Sequence, residues 1–326
     1  MGIWPVEDCE PAVSVVISTY QRSHLLPRLV AALEAQTLPH DRFEVVIADD
    51  GSTDDTTDVL RQLEAATPLR LRTLRMDVNR GPSIGRNAAW RTASGPVVAF
   101  TDDDAIPTPG WLAAGLAALG DADVAVGQTT FPPEDESLAG RPFTRVLEVH
   151  DARFFQTCNV FYRRSYLEAV GGFDESLESP SAEDTELALR VCERGGRATF
   201  AGDALVHHPV RPPSYWLTVR ETLRWTGIPA VVARYPITRR TLLHWRLFWK
   251  PSHPLALLAL AGILIGTTRP LGFVLTLPWV HHRLLVSPPC AGPRRRLLAL
   301  PAVLPIDLLE VFTMLRGSLR HGALVL

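Results

Sequence analysis

The sequence predicts an α/β fold: a mainly parallel sheet flanked by helices, followed by a C-terminal helical region that is apolar, basic and membrane-associating. Three observations lead there. Short apolar runs alternate with helical stretches between residues 13 and 123, the pattern of βαβ units. The strand-like runs end in the polar segments "STYQR", "ADDGS" and "TDDDA", and such sheets bind ligands beyond the carboxyl ends of their strands. The charge is divided. Residues 1–210 carry 18 basic and 32 acidic side chains, whereas residues 211–326 carry 15 basic ones and only Glu221, Asp307 and Glu310 as acids.

Taken in order, "AVSVVIS" (12–18) is a buried strand rich in β-branched residues. "HLLPRLVAALEAQ" (24–36) puts Leu25, Leu26, Leu29, Val30 and Leu33 on one helical face. "FEVVIAD" is the second strand, and "TDDTTDVLRQLEAA" opens with Thr and Asp residues suited to an N-cap before its helix. "LRTLRM" is a short strand, "GPSIGRNAAWRTA" a helix and "PVVAF" a fourth strand. "PGWLAAGLAALGD" is a helix with Pro near its start, and "DVAVGQ" a fifth strand. Residues 140–208 are mixed, with an amphipathic run in "SAEDTELALR" and a short apolar run in "ALVHHPV". No internal repeat or low-complexity segment interrupts the chain.

The tail has a different composition. "PLALLALAGILIG" (254–266) is uncharged but too short to cross ~30 Å of hydrocarbon. Extension through "TTRPLGFVLTLPWV" lengthens it but brings in Arg269 and two prolines, so a re-entrant hairpin or broken span is expected. "LLALPAVLPIDLLEVFTMLRGSLR" contains Asp307 and Glu310 and is expected to be an interfacial amphipathic helix. The alternative is a helical extension packed on the sheet domain or on a dimer partner. Arg294, Arg295 and Arg296 suit anionic headgroups, and interleaved aliphatic runs favour a membrane surface over nucleic acid. The expected domains are 1–210 (catalytic), 211–250 (basic, aromatic and connecting) and 251–326 (membrane-associated). Four scattered cysteines suit a reduced compartment, and "MGIWPVEDCEP" lacks a secretory pattern, so the expected place is the cytoplasmic face of the cell membrane. Thirty-two arginines against one lysine fit a GC-rich bacterial genome.

Chemistry enters at four places. Asp102, Asp103 and Asp104 repel one another unless a solvated turn holds them or a divalent cation such as Mg²⁺ or Mn²⁺ binds them. Asp50, at a strand end before Gly51, can accept hydrogen bonds from a ligand or simply cap a turn. Arg86 can steady an anionic ligand or pair with neighbouring acids. Glu183 and Asp184 stand at a helix start, where a carboxylate can serve as general base or as a solvated cap. His207 and His208 offer an imidazole beside the carboxylates.

In order and spacing, "VSVVISTYQR", "VVIADDGSTDDT", "NRGPSIGRNAAW", "AFTDDDAIPTPGWL", "GGFDE" and "AEDTELALR" resemble the family 2 glycosyltransferases over residues 12–210. The resemblance implies the GT-A fold and a nucleotide-diphosphate sugar as donor. Ser18 and Tyr20 would hold the nucleobase, Asp50 the nucleoside, and Arg86 the nucleotide pocket. Asp104 would bind the metal, and Asp102 and Asp103 would meet the ribose and the sugar. Asp184 would be the base beside Glu183, with His208 completing the metal site and His207 as second choice. Asn159 matches the acceptor-side wall, and "ETLRW", ending in Arg224 and Trp225, partly matches a Gln-x-x-Arg-Trp motif of members that act at membranes. Glu221 in place of Gln weighs against a polymer-making enzyme, as does the thin membrane portion. The reaction implied is inverting transfer to an acceptor hydroxyl on a glycan, a lipid or another hydroxyl compound. A nucleotidyltransferase would need a Gly-rich, Lys-bearing loop after the first strand, and "STYQRSHLL" has neither Gly nor Lys. A non-catalytic, membrane-associated nucleotide-sugar-binding protein is the other alternative.

Overall fold

A computed structural model describes residues 10–177 and 182–326. The chain divides into two compact units: residues 10–131, 147–176 and 183–209 in the first, and 132–146, 177, 182 and 210–326 in the second.

The first unit is built on one eight-stranded sheet. Its strands are β1 (Val13–Thr19), β2 (Phe43–Asp49), β3 (Arg70–Arg75), β4 (Val97–Thr101), β5 (Ile106–Pro107), β6 (Val124–Thr130), β7 (Asn159–Arg163) and β8 (Ala198–His207), in the spatial order β3-β2-β1-β4-β7-β6-β8-β5. β3, β2, β1 and β4 run parallel, as does the β6–β8 pair; β7 is antiparallel to both β4 and β6, and β5 to β8. Helices α1 (Leu26–Glu34), α2 (Thr56–Ala66), α3 (Pro82–Thr92), α4 (Trp111–Leu119), α5 (Arg164–Val170) and α6 (Glu183–Glu193) flank it. Helix α1 begins at Leu26, just before Pro27, whose fixed φ suits a first turn.

Strand alternation makes two cores. Val13, Val15, Ile17, Val45 and Ile47 pack under Leu26, Leu29, Leu33 and Leu60 on one face, with Trp111 of α4. Val16, Val46, Val98 and Phe100 pack on the other with Trp90 of α3, Leu167 of α5 and Leu187 of α6. Successive side chains of a strand point to opposite faces, so strands covered on both sides become apolar throughout. The spatial order turns at β1, whose neighbours are β2 and β4, and parallel sheets present their crevice at such a switch point.

In the second unit, helix Ser252–Gly266 leads through Thr267–Arg269 into the 3₁₀ segment Pro270–Thr276 and the helix Leu277–His281. The final helix, Pro293–His321, is long and apolar enough to cross a membrane, and half of its most apolar window is buried inside the unit. The expected polar face at Asp307 and Glu310 does not form. Asp307 is fully buried, accepting from Trp279 Nε1 at 2.7 Å and from the Arg283 guanidinium. Glu310 is buried between Lys250 Nζ at 2.7 Å and His253 Nε2 at 3.0 Å. Both acids therefore belong to the packed side of the helix.

Candidate active site

The site gathers at the carboxyl ends of β1, β2 and β4. Register alone brings Thr19 beside Asp49, and β4 beside β1 places the acidic triplet next to Ser18–Arg22. Past the end of β4 the three aspartates take different sets of partners. Asp103 is buried: Oδ2 accepts from Thr19 Oγ1 at 2.7 Å and Oδ1 from Arg22 Nη1 at 2.6 Å. Burial pushes its carboxyl up to about 6, and Asp104 and Asp102 add to the shift against the opposing pull of Arg22 and Thr19. Asp103, expected at the ribose or the sugar, anchors Arg22 in this structure. Asp102 and Asp104 lie beside it, Asp104 Oδ2 also accepting from Arg22 Nη1 at 2.8 Å. With His208 they offer three ligand atoms, all within 4.8 Å of one another.

That donor set suits a divalent cation: two hard carboxylates and one imidazole. The histidine tautomer fits as well. His208 Nδ1 lies 3.3 Å from the Pro209 carbonyl, and a proton on Nδ1 would satisfy that acceptor and leave Nε2 to act as the ligand atom. Nε2 then presents a lone pair 3.2 Å from Asp104 Oδ1, and two acceptors this close call for a cation or a proton between them. His207 is turned away, with Nδ1 3.2 Å from Thr130 Oγ1. Of the two histidines, His208 is the one in the cluster.

Arg86 is the hub between two acidic groups. From α3 its Nη2 donates to Asp102 Oδ1 at 2.9 Å, and its Nη1 lies 3.8 Å from Glu183 Oε1 at the start of α6. Nη1 is buried without a hydrogen-bond partner among the described residues. Such an orphaned donor is costly unless a ligand satisfies it. Next along α6, the half-buried Asp184 accepts from the backbone N–H of Thr157 at 3.0 Å and from its hydroxyl, also at 3.0 Å. Burial raises the affinity of both Glu183 and Asp184 for protons; the Asp184 charge adds to the effect at Glu183, and Arg86 opposes it at both.

The remaining expected residues fall as follows. Ser18 is half-buried against α3, where a Cβ on Gly85 would come within 2.2 Å of its hydroxyl; Tyr20 is 39 % exposed. Asp50 is buried, and its two oxygens accept the N–H groups of Arg80 and Gly81 at 2.9 and 2.8 Å. Asn159, expected at the acceptor-side wall, is 1 % exposed. Its Oδ1 accepts from Trp111 Nε1, and its Nδ2 donates to the carbonyls of Gln128 and Ala204, all at 2.8 Å, so it braces β6, β7, β8 and α4. Arg224 and Trp225 lie in the second unit. There Lys250 Nζ sits 4.3 Å over the Trp225 ring, and Glu221 pairs with Arg145 and Arg211. Arg22 and Thr157 were not singled out by sequence reasoning. Their only signal was position, Arg22 closing "STYQR" at the end of the first strand and Thr157 opening "TCNVFYRR".

A sheet switch point that brings a cation-suited cluster beside a second pair of carboxylates suits a group-transfer site. The model for Glycosyl transferase family 2 matches residues 14–171, and that for Glycosyl transferase family group 2 matches residues 97–286, more than half of the chain. The chain belongs to the family 2 glycosyltransferases and is an enzyme of that class. Glycosyltransferase AglE of Haloferax volcanii is 31% identical over 210 residues, covering 62% of this chain and 68% of that one. Validoxylamine A glucosyltransferase of Streptomyces hygroscopicus subsp. jinggangensis is 33% identical over 221 residues, covering 57% of this chain and 52% of that one, so the match spans about half of the latter. Among solved structures, the mannosyltransferase PcManGT from Pyrobaculum calidifontis, in complex with GDP-Man and Mn²⁺, superposes with a TM-score of 0.60 at 21% identity over 96% of this chain and 87% of that one. S. aureus TarS 1–349 in complex with UDP-GlcNAc gives 0.52 at 17% identity, covering 95% and 92%. At these identities the likeness carries the fold, which is the expected GT-A arrangement. Membership of a glycosyltransferase family sets the nucleotidyltransferase reading aside.

Proposed function

We propose that the chain is an inverting glycosyltransferase that uses a divalent cation, Mg²⁺ or Mn²⁺. It moves a sugar from a nucleoside-diphosphate sugar to a hydroxyl of a membrane-proximal or lipid-linked acceptor at the cytoplasmic face of the membrane. The observation that carries this reading is the convergence, about Arg86, of the Asp102–Asp104–His208 cluster and the Glu183–Asp184 pair. Asp102, Asp104 and His208 would hold the cation, which when bound would neutralise the charge of the departing diphosphate. Ser18, Tyr20 and the loop held by Asp50 would border the nucleoside, and the unsatisfied Nη1 of Arg86 would donate to the donor substrate. That PcManGT was solved with GDP-Man and Mn²⁺ and TarS with UDP-GlcNAc supports the choice of donor class.

Asp184 is the proposed base. The acceptor oxygen attacks the anomeric carbon, and the bond from that carbon to the diphosphate oxygen breaks, its electron pair leaving with the nucleoside diphosphate. The hydroxyl proton passes to Asp184. One displacement inverts the anomeric carbon. A carboxylate with raised proton affinity, held by the two Thr157 hydrogen bonds, suits that role, which is worth ~10²–10⁴-fold in rate. The membrane-proximal acceptor is supported by the basic, apolar second unit.

The test is Asp184→Asn, assayed against a panel of nucleotide sugars with lipid extract as acceptor. Transfer should fall by at least ~100-fold, nucleotide binding should persist, and the wild-type product should carry the inverted anomer by NMR. Undiminished transfer by the Asn variant, or a retained anomer, refutes the assignment.

A further inference from the structure

The second unit carries a surface that sugar transfer does not use. Helix Ser252–Gly266 is 15 residues long, about 22 Å at 1.5 Å per residue, and the segment Pro270–Val286 returns beside it. The two limbs meet through glycine. A Cβ on Gly262 would come within 2.9 Å of Leu275, and one on Gly266 within 2.8 Å of the Phe273 ring. Small residues four apart bring helical segments close in this way. Ala256 and Ala259 are fully buried, so the small side chains lie inside and the large ones outside. Leu264, Ile265, Leu271, Phe273, Val274 and Leu277 are 45–85% exposed. Twelve of the 25 exposed large apolar side chains among the described residues fall between Ser252 and Val286. Contiguous exposed apolar surface of this kind marks an interaction site.

Charge identifies the occupant. From residue 222 to residue 306 the chain has 11 Arg or Lys and no Asp or Glu. Arg294 and Arg295 are exposed beside the exposed Leu297 and Leu298, and Arg296 ties this turn to the hairpin by donating to the carbonyls of Leu284 and Cys290. A second copy packed through the same face would set these cations against one another. An anionic leaflet would pair with them.

We propose that the hairpin Ser252–Val286 seats in an anionic membrane surface, burying its outer face among the acyl chains without crossing, while Arg294 and Arg295 engage the headgroups. The hairpin is too short to span ~30 Å of hydrocarbon. The helix Pro293–His321, which has the length, is occupied on its inner side by the buried Asp307 and Glu310 pairs and serves as the platform. This surface extends the membrane-proximal part of the proposed function and does not depend on the chemistry at Asp184.

The test is flotation of the full chain with phosphatidylcholine vesicles, with and without phosphatidylglycerol. The chain should float with the anionic vesicles. The variant Leu264→Ser/Leu271→Ser/Phe273→Ser should lose at least about tenfold in partitioning to either lipid. Arg294→Gln/Arg295→Gln should lose about fivefold per arginine on the anionic vesicles only. Donor hydrolysis by both variants in detergent should match wild type, which separates a failed surface from a failed active site. Failure of wild type to float, or unchanged flotation of the serine variant, overturns the proposal. So does a stable dimer that the serine variant dissociates while its vesicle binding is unchanged.

Discussion

Asn159→Ala separates bracing from acceptor binding at one residue. The substitution removes the acceptor of the buried Trp111 Nε1–H and the donor to the carbonyls of Gln128 and Ala204. An orphaned buried N–H costs roughly 1–3 kcal/mol, and the two carbonyls with the small void add to it, for about 3–5 kcal/mol in all. For a unit of this size that is about 6–20 °C in Tm. Thermal and urea unfolding of the purified chain measure it, with acceptor KM taken at low temperature where the variant stays folded. KM should be unchanged. The neighbour Gly127 sharpens the test, because a Cβ there would meet the Asn159 amide at 2.2 Å. Gly127→Ala should be severely destabilising alone and partly rescued in the Asn159→Ala background. Unaltered stability together with a raised acceptor KM would refute the bracing account.

Two further outcomes follow from buried carboxylates. Burial would raise the pKa of Glu44, but the Ser94 N–H, the hydroxyls of Ser14 and Ser94 and the Arg72 guanidinium outweigh it and hold the group below its ordinary value. A depressed folded pKa stabilises above the unfolded value and is lost as pH falls through the folded one. Glu44→Gln should therefore cost about 1–2 kcal/mol at neutral pH, and its deficit should shrink on acidification below the ordinary glutamate range, as urea midpoints would record. Thr157→Val removes the hydroxyl bond to Asp184, which lowers that group's pKa. The acid limb of kcat should move to higher pH, with kcat down about tenfold and donor KM little changed; an unmoved limb contradicts the assignment of Asp184.

The first half of the sheet was legible because local signals sufficed: apolar β-branched runs, helical faces between them and polar strand ends. β5, β7 and β8 were not read as strands, and "ALVHHPV" stood only as a short apolar run. "NVFYR" becomes one only through antiparallel pairing with β4 and β6, and Ile106–Pro107 only through pairing with β8. The acidic triplet was visible as a cluster, but its division was not. That division needs partners from other elements: Asp103 and Asp104 share Arg22, while Asp102 and Asp104 cluster with His208. Arg22 and Thr157 carried no pattern of their own, since each acts through a partner more than 25 residues away. Asp307 and Glu310 misled because a carboxylate in an apolar run reads as a wet face; their partners Arg283, Trp279, Lys250 and His253 come from elsewhere in the unit.

Titration of Mn²⁺ into the protein, followed by the loss of its free-ion EPR signal with UDP or GDP present, tests the central claim most directly. Wild type should bind one ion per chain in the presence of the nucleotide it uses, and Asp184→Asn should bind it equally well. Asp104→Ala and His208→Ala should each weaken binding by about tenfold or more. Binding left intact by both of those substitutions would contradict the account.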